Sequence, residues 1–320
     1  MAEKSNGFVP ITAVLNDPEK LAEALKERQA LARARREAEK LAKQGGTVVE
    51  KPKAPVVKLP VEVQEHRTAP NICLRSALFG VVKLGQRKYW PVSNPASIAA
   101  QAGYRVLYSG EQLNQSDLDV WLAVKFLCMP HPLGAEVRFT APELFQILGW
   151  QDGKRSRESI QRSLRRLADG YLEAKDSKRG FGGHLIDWWA WEENSFHFCV
   201  VLSPKMAPLF GNDCYTLVDI NQRQQLRKDL SRWLHSYWSS HDKVCSIKDT
   251  TLRELCGSEA GNIRHFRAEL RCALQELETA GFLEPGWDVS HKGLVTATKT
   301  PTAKALRRIL RKIRNYKKKN

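Results

Sequence analysis

Two stretches of the sequence carry long polar side chains at helical spacing, and their types suit hydrogen bonding to nucleic acid. The first stretch offers Arg155, Arg157, Gln161, Arg162, Arg165 and Arg166, and the second offers Asn262, Arg264, His265, Arg267 and Arg271. An arginine fork can bond the O6 and N7 atoms of one guanine together. We therefore expect both stretches to contact DNA, although the sequence does not separate base contacts from phosphate contacts. The alternative for each stretch is an ordinary charged helix surface.

The first stretch lies in a helix-turn-helix pattern that runs from 139 to 172. Thr140 can cap the first helix with its hydroxyl, and Ser156 is the expected N-cap of the second. The apolar stripe of the second helix, which must be buried, consists of Ile160, Leu164 and Leu167. The arginines are therefore expected on the exposed faces, and Gly170 is expected to end the helix in the left-handed conformation.

The same order of elements returns in the second stretch. The segment KDTTLRELCG at 248–257 mirrors FTAPELFQILG at 139–149, and the helix that follows is expected to end at Gly281. A hairpin pattern follows each helix pair: YLEAKDS, HLIDWWAW and FHFCVVL after the first, and WDVSHKGLVTATKT after the second. A helix-turn-helix followed by a hairpin that packs on it is typical of a winged helix. The sequence therefore predicts an α+β fold with two tandem winged-helix domains.

These patterns divide the chain into segments. Residues 1–70 are an N-terminal arm, with a helix over about 17–44 and a proline-containing linker, and residues 71–212 are the first winged-helix domain. Residues 213–300 are the second domain, and residues 301–320 are a basic tail. The arm is expected either to contact a partner or DNA or to be an exposed helix without a separate role. For the tail, contact with the DNA backbone is preferred over a solvated tail and over membrane-surface binding.

Further elements are predicted around these two helix pairs. ASIAAQAG at 96–103 is predicted as a short helix, YRVLYSG at 104–110 as a strand, and the helix DLDVWLAVKFLCM is expected to be capped by Ser116 and Asp117. QRQQLRKDLSRWLHSYWSS at 222–240 is predicted as one long helix. The tryptophans of the first hairpin pattern are expected to pack in the sheet rather than to stack on bases. They are Trp188, Trp189 and Trp191.

The net charge of +16 over 320 residues favours a polyanionic partner, although a basic but inert surface is the alternative for charge alone. Seven scattered cysteines without a CxxC pair fit reduced thiols better than disulfides or a zinc site. The sequence shows no apolar run long enough to span a bilayer and no signal-peptide pattern. We therefore expect a cytoplasmic protein that does not interact with membranes.

Catalytic and metal-binding patterns are not supported. The segment from Gly149 to Arg155 resembles a phosphate-binding loop, but it is one residue short, lacks Ser or Thr after its lysine, and follows a helix instead of a strand. His197 lies between two phenylalanines, without the second histidine that a metal-dependent DNA-nicking site would need. The eight histidines show neither HExxH nor zinc-finger spacing. We therefore expect a binding protein without enzymatic activity, cofactor or metal.

Six motifs carry a resemblance to a known family. They are RSALF at 75–79, YSGEQL at 108–113, FTAPELFQILGW at 139–150, LFGNDCYT at 209–216, WSSH at 238–241 and LRELCGS at 252–258. In this order and spacing, which covers roughly 75–288, the chain resembles the iteron-binding plasmid replication initiators, most closely the TrfA-type proteins.

The resemblance implies two winged-helix domains that bind direct repeats, called iterons, in a plasmid origin. Such proteins open adjacent AT-rich DNA, recruit the host initiator DnaA and the replicative helicase, and form dimers, largely through the first domain, that restrain copy number. The family's recognition helices map onto Ser156–Leu167 and Asn262–Leu277. The family's sliding-clamp-binding segment upstream of RSALF is not matched, because this region reads VVKLPVEVQEHRTAPN. Clamp binding is therefore not expected.

The preferred hypothesis is a plasmid replication initiator that binds double-stranded DNA. A winged-helix transcriptional repressor, including one that represses its own gene, is the alternative, and a DNA nickase or primase is a third hypothesis that lacks supporting motifs. Direct repeats beside AT-rich DNA would favour an initiator, whereas a lone palindrome would favour a repressor. Among the arginines, Arg267→Ala is expected to weaken binding to the repeats more than non-specific binding.

Overall fold

The structure, a computed structural model, describes residues 59–60, 62, 65–83, 85–192, 197–211 and 214–301. All of them belong to one structural unit of the chain, Val56–Asn320. The predicted helix over 17–44 and the basic tail beyond residue 301 lie outside the described residues. Within the described part, no helix combines the length and the apolar character needed to cross a membrane.

The chain first forms short strands around one long helix. In order, these elements are β1 (His66–Pro70), α1 (Asn71–Leu74), β2 (Phe79–Gly80), β3 (Tyr89–Trp90), β4 (Ala96–Ile98), β5 (Arg105–Glu111), β6 (Leu113–Asn114) and α2 (Gln115–Cys128). The prediction of a helix over 96–103 is wrong, because β4 pairs with β5 and the sheet overrides the local alanine-rich pattern. The cap of α2 is Asn114, in a capping box with Asp117, and not Ser116.

The next elements include the first predicted helix pair. They are β7 (Glu136–Thr140), α3 (Ala141–Leu148), α4 (Lys154–Asp169), β8 (Tyr171–Lys175), β9 (Gly180–Gly183), β10 (Ile186–Trp191), β11 (His197–Leu202), a 3₁₀ helix (Pro204–Phe210) and β12 (Tyr215–Asp219). Thr140 caps α3 in a capping box with Glu143, which confirms that cap. Ser156 does not cap α4, since the helix begins at Lys154 and Gly153 precedes it without a side-chain cap.

Gly170 ends α4 for a reason that the sequence pattern missed. Its φ of −72° is not left-handed, so the predicted conformation is wrong. A Cβ atom at this position would collide with the hydroxyl of Tyr108 on β5. Glycine is therefore required because α4 ends against the sheet, and not because of a special backbone conformation.

The last elements include the second predicted helix pair. They are α5 (Ile220–Gln225), α6 (Asp229–Ser239), β13 (Ile247–Lys248), α7 (Asp249–Leu255), α8 (Ile263–Thr279), β14 (Asp288–Val289) and β15 (Leu294–Thr296). The predicted single helix over 222–240 is wrong, because Leu226 is extended, with φ −84° and ψ 124°, and separates α5 from α6. Gly281 follows the end of α8 with the expected left-handed φ of 71°.

Two three-stranded antiparallel sheets have the same topology. The first has the order β10-β11-β7 and the second has the order β14-β15-β13. In both, one strand leads directly into a helix pair, and the other two form a hairpin after it. Strand β8, which the sequence pattern groups with the first hairpin, instead pairs with β5 and β9 in a separate sheet.

The apolar side chains form two cores. The first core takes residues from Ala69 to Val218 and the second takes residues from Leu226 to Val295. The first core extends beyond the predicted segment 71–212 at both ends, because β1 and β12 pair with each other and bury Ala69 and Val218. Burial of whole aromatic rings is the largest single contribution to such cores. Trp121 is less than 2% exposed in the first core, as are Trp233 and Trp238 in the second.

Main-chain contacts join the two cores. The Val81 amide donates to the carbonyl oxygen of Cys256 at 2.8 Å. A Cβ atom on Gly80 would lie 3.1 Å from that same oxygen, and one on Gly257 would lie 3.0 Å from Ala77. The indole nitrogen of Trp233 in the second core donates to the Ser76 carbonyl oxygen at 3.1 Å. The backbones of the two halves therefore approach closely, and two glycines permit the approach.

Buried polar side chains continue this junction. Arg223 on α5 is 2% exposed and donates to Asp119 and Gln115 on α2, and also to Ser236 on α6. A guanidinium buried with a full set of acceptors is costly to disrupt, because breaking one bond leaves a charge without compensation. Arg223 therefore ties α2 of the first core to α6 of the second.

The tryptophans of the first hairpin are partly exposed. Trp188 is 36% exposed and Trp191 is 38% exposed, so neither is fully buried in the sheet, and whether they contact bases stays untested. Trp189 is half-buried and stacks on Trp191, with ring centroids 4.9 Å apart. The alternation of side chains along a strand accounts for the exposure of Trp188, which lies on the outer face of β10, opposite Val201.

Candidate nucleic-acid interface

The candidate recognition helices are α4 and α8, the second helices of the two pairs. Both are amphipathic, and α4 buries its predicted stripe of Ile160, Leu164 and Leu167. Periodicity predicts a buried stripe of Ile263, Phe266, Leu270, Leu274 and Leu277 on α8, and all of these are buried except Ile263, which is half-buried. The polar residues of interest lie on the remaining faces or at the ends. Their partners differ between the two helices, and those partners decide which side chains remain available to a ligand.

Arg166 is a structural residue of α4. It was expected on an exposed face, but it is buried, and its Nε and one terminal nitrogen donate to Asp117 Oδ1 at 3.1 and 2.9 Å. Asp117 lies on α2 and is fully buried. A second terminal nitrogen of Arg166 contacts Glu111 Oε1 at 3.2 Å. The exposed placement predicted for Arg166 is therefore wrong, because its charge is neutralised inside the protein.

The carboxylate of Asp117 accepts hydrogen bonds from several donors. Besides Arg166, it accepts from the Ser163 hydroxyl at 2.7 Å and from the Asn114 amide at 2.9 Å. Arg87 approaches its other oxygen at 2.8 Å. A buried carboxylate is stable only when such donors surround it. Asp117 therefore fixes α4 against α2 and orients its outer face.

The outer face of α4 remains basic. Arg155, Arg162 and Arg165 are exposed, and Gln161 is half-buried. Arg157 points back to the preceding turn and makes two hydrogen bonds of 2.7 Å to Asp152. These bonds from Arg157 hold the pKa of the Asp152 carboxyl below its ordinary value and raise the pKa of Arg157. The exposed cations of α4 are therefore these three arginines and Lys154, its first residue.

The beginning of α8 presents a different set. Asn262 is the N-cap, and its Oδ1 accepts from the His265 amide at 2.9 Å. The side chains of Asn262, Arg264 and His265 are exposed. The amide nitrogen of Asn262 keeps its donors while the oxygen caps the helix. This end of α8 therefore carries three polar side chains within one turn.

Arg267 and Arg271 connect α8 to the hairpin β14–β15. Arg267 forms an ion pair with Asp249, which is 2% exposed at the start of α7, and reaches the His291 carbonyl oxygen at 3.5 Å. Arg271 donates to the Val289 carbonyl oxygen at 3.3 Å. At helical spacing, i, i+3 and i+7, the sequence predicts Arg264, Arg267 and Arg271 on one face of the helix. The structure instead brings the guanidinium groups of Arg267 and Arg271 to the hairpin.

Gly293 fixes the backbone conformation of the turn in this hairpin. Its φ of +79° is left-handed, and its carbonyl oxygen accepts from the Asp249 amide at 2.8 Å. A Cβ atom here would lie 2.5 Å from a carboxylate oxygen of Asp249 and 2.8 Å from Arg267. No residue other than glycine fits both the backbone conformation and this contact. The turn is therefore held at a fixed position beside α8.

Several residues of this interface were missed at the level of sequence. His291 and Lys292 are exposed in the hairpin turn, next to α8. Of the two carboxylates that anchor the helices, Asp117 was expected only as a helix cap, and Asp249 was not singled out. The spacing of Asn114 and Asp117 is that of a capping box and could have indicated Asn114 as the cap and Asp117 as its partner. Across the residues that the structure describes, no group of three or more His, Cys, Asp or Glu side chains is placed to hold a metal ion.

Comparisons with known proteins address the origin of this arrangement. A model of the family described as TrfA protein matches residues 29–297. The plasmid replication initiator protein TrfA of Escherichia coli is 26% identical over 235 residues, which are 69% of this chain and 59% of that protein. The chain thus spans less than two thirds of this relative's length.

Two solved structures align with this chain. Domains 2 and 3 of RctB align with a TM-score of 0.51 and 14% identity, over 73% of this chain and 99% of that chain. The Pi initiator protein in complex with iteron DNA aligns over 57% of this chain and 88% of that chain, with 14% identity. Its TM-score of 0.43 is too low to carry a conclusion. The RctB likeness supports the mixed α and β fold alone.

The family match covers most of the chain and includes both candidate recognition helices. It also includes the strands β10, β11, β14 and β15, which form the two hairpins. On this evidence the chain belongs to the TrfA protein family.

Proposed function

We propose that the chain is a plasmid replication initiator that binds direct repeats in double-stranded DNA through two tandem winged helices. The first comprises α3, α4 and the hairpin β10–β11, and the second comprises α7, α8 and the hairpin β14–β15. The observation that carries the proposal is the identical strand order around both helix pairs, with exposed basic side chains on both second helices. Membership of the TrfA family and the replication role named for the Escherichia coli relative support it.

The two helices have different tasks in this proposal. Three exposed polar side chains lie at the start of α8, which is the part of a recognition helix that enters the major groove. Asn262, Arg264 and His265 are therefore the residues proposed to contact bases. The free cations of α4 are spread along the helix at Arg155, Arg162 and Arg165, which suits contacts to successive phosphates. In this proposal α4 contacts the DNA backbone and α8 contacts the base edges.

Initiation by this route requires no covalent chemistry from the protein. Phosphate contacts supply affinity that falls with salt, and each bidentate base contact adds roughly 1–3 kcal/mol of discrimination. Several protomers on adjacent repeats can share the cost of bending DNA, which is on the order of 1–6 kcal/mol for a short site. The strain promotes opening of a neighbouring AT-rich duplex. Recruitment of DnaA and the replicative helicase, and self-association to dimers, complete the proposed role by resemblance to the family.

Footprinting tests this proposal directly. Purified full-length chain is incubated with DNA that flanks its gene, and nuclease protection and permanganate reactivity are mapped on the same fragments. We expect protection at several direct repeats and new permanganate-reactive thymines in adjacent AT-rich DNA. A triple variant, Asn262→Ala/Arg264→Ala/His265→Ala, is expected to lose the repeat pattern while it still binds DNA non-specifically.

Other outcomes would change the assignment. Protection of a single palindrome without opening of DNA would indicate a transcriptional repressor instead. Strand cleavage in the presence of a divalent metal would contradict a purely binding role and point to a nickase. Equal protection of all sequences would contradict sequence-specific recognition by α8.

A further inference from the structure

A loop of the first half lies between the two candidate recognition helices. This segment, residues 85–92, is called the bridging loop here. Its backbone is fixed by the pairing of Tyr89 with Glu111 and of Trp90 with Gly110 on β5. The Gln112 amide also donates to the Lys88 carbonyl oxygen at 2.8 Å. The bridging loop is therefore held in place by the same sheet against which α4 ends.

One side of the bridging loop is attached to the anchor of α4. Arg87 donates to Asp117 Oδ2 at 2.8 Å, and Asp117 Oδ1 accepts from Arg166 and Ser163 of α4. Both arginines share one fully buried carboxylate. The position of the loop and the position of α4 are consequently set by one group.

The other side of the bridging loop reaches the second half. Lys88 Nζ forms an ion pair with Glu259, which lies in the turn between α7 and α8. The two side chains are 54% and 46% exposed. An exposed pair of this kind contributes little to stability, since water screens both charges. Lys88 is therefore free to exchange its carboxylate partner for another anion.

The outward groups of the loop have no internal role that the described contacts reveal. Tyr89 is 71% exposed and Val92 is 77% exposed, although the backbone beneath Tyr89 is held in a strand. Lys83, just before the loop, is also exposed. The turn before a recognition helix lies close to the sugar-phosphate backbone when the helix enters the groove. The contact with Glu259 therefore brings Lys88 and Tyr89 to the region where that backbone would pass.

We propose that the bridging loop is a third DNA-contacting element, which binds backbone phosphates between the segments held by α4 and α8. Lys83 and Lys88 supply point charges, and the Tyr89 hydroxyl supplies a hydrogen-bond donor at a fixed position. The contact carries no sequence information, because it is made to phosphates alone. This inference rests on the proposed function in assuming that both helices engage one duplex.

The dependence of binding on salt tests the loop. The full chain and its triple variant Lys83→Ala/Lys88→Ala/Tyr89→Ala are titrated on repeat DNA and on unrelated DNA over a series of salt concentrations. Loss of two phosphate contacts should lower the slope of log K against log salt by about 2, and should weaken both complexes by the same factor. The control variant Lys175→Ala/Lys178→Ala removes two exposed lysines from β8 and the turn that follows it, and should leave the slope unchanged.

A second comparison separates DNA contact from a merely structural ion pair. If the Lys88–Glu259 pair only stabilises the fold, Lys88→Ala and Glu259→Gln should weaken binding equally. Under the proposal they act in opposite directions, because Glu259→Gln removes a negative charge near the DNA and releases Lys88. Glu259→Gln should therefore bind all duplexes more tightly than the unaltered chain.

An unchanged slope in the triple variant, or equal losses in the two single variants, would overturn the proposal. Failure of the proposed function is distinguishable from this result. In that case the unaltered chain would not prefer repeat DNA, whereas its salt slope on any duplex would still report whether the loop contacts phosphates. Thermal unfolding of each variant verifies that it is folded.

Discussion

The two candidate recognition helices are anchored differently. In α4, Arg166 turns inward, is almost completely buried, and binds the buried Asp117 on α2. In α8, Arg267 stays partly exposed while it binds the buried Asp249 on α7 and reaches the hairpin turn, and Arg271 reaches β14 of the hairpin. The first helix is thus fixed by the core behind it, and the second is fixed by α7 and the hairpin beside it.

This difference determines which side chains can reach a ligand. Because α4 is held from behind, its outer face keeps Arg155, Arg162 and Arg165 free along its length. Because Arg267 and Arg271 of α8 bond to α7 and the hairpin, the exposed polar groups of α8 without such bonds that lie closest to its N-terminus are Asn262, Arg264 and His265. Cations distributed along a helix suit contacts with successive phosphates. Polar side chains clustered at a helix N-terminus suit contacts with base edges. Counting arginines alone would have ranked the helices the other way.

The largest expected effect follows from removing the anchor of α4. Asp117→Ala leaves the guanidinium of Arg166 buried without its carboxylate, and breaking such a pair costs roughly 3–5 kcal/mol. Urea unfolding of the full chain measures the loss. Asp249→Ala is the matched variant of the second half, and its loss should be smaller, because Arg267 keeps a quarter of its side chain exposed. Equal losses in the two variants would contradict the contrast between the anchors.

The next effect concerns the hairpin turn beside α8. Gly293→Ala places a methyl group against Asp249 and Arg267 in a left-handed conformation. The conformation costs roughly 1–2 kcal/mol and the overpacking roughly 1–3 kcal/mol. We expect the unfolding free energy to fall and the specific and non-specific DNA complexes to weaken together. Gly261→Ala, where a Cβ atom would meet open space, serves as the control in the same measurements. A loss confined to repeat DNA would show that the turn reads bases.

A matched pair of arginines tests the division of tasks. Arg264→Ala should cost about 1–3 kcal/mol on repeat DNA and little on unrelated DNA, since it removes a base contact. Arg165→Ala should weaken both complexes equally and lower the salt slope by about 0.9, since it removes a phosphate contact. Fluorescence anisotropy at several salt concentrations measures both quantities. The reverse pattern would assign base reading to α4. By the same argument Arg267→Ala is now expected to affect both DNAs equally, because Arg267 positions the hairpin.

The smallest effect distinguishes the caps of the two halves by pH. Hydrogen bonds from Thr140 hold the pKa of Glu143 below its ordinary value. Glu143 therefore contributes stability that is present above its unfolded pKa of about 4.3 and is lost as pH falls through its lower folded pKa. The group is exposed, so the change should stay below about 1 kcal/mol. The unfolding free energy is measured at pH 5 and at pH 3 for the unaltered chain and for Glu143→Gln. The decrease between the two pH values should be larger for the unaltered chain, by up to this amount. Equal decreases in the two proteins would contradict the prediction. Asn262→Ser changes a cap without a titrating group, so its decrease should match that of the unaltered chain.

The sequence pattern predicted the features that depend on neighbouring residues. The cap at Thr140, the stop at Gly281 and the buried stripes of α4 and α8 all follow from local spacing, and the structure has them. The pattern failed where a distant partner decides. Arg166 looks exposed on a helical wheel, but its carboxylate partner lies 49 positions away. The segment Ala96–Ile98 looks helical until β5 pairs with it.

The same limit applies to the candidate interface. The eleven polar residues singled out by type were found on the predicted helices, but their availability depends on contacts that no local pattern records. Arg267 and Arg271 are held by an acid on α7 and a carbonyl oxygen on β14. The bridging loop is invisible to the pattern for the same reason, because its link to Glu259 spans most of the folded chain.

The glycine-mediated contact between the halves has a consequence for the geometry of the target. Main chain meets main chain at Val81 and Cys256, with Gly80 and Gly257 permitting the approach, so backbone atoms set the separation of the halves at this point. The two candidate recognition helices are then held at one fixed separation. Each added base pair advances a duplex by about 3.4 Å and turns it by about 34°. If both helices engage one duplex, as proposed, the helical phase between the two contacted segments should restrict the choice of target in addition to its base sequence.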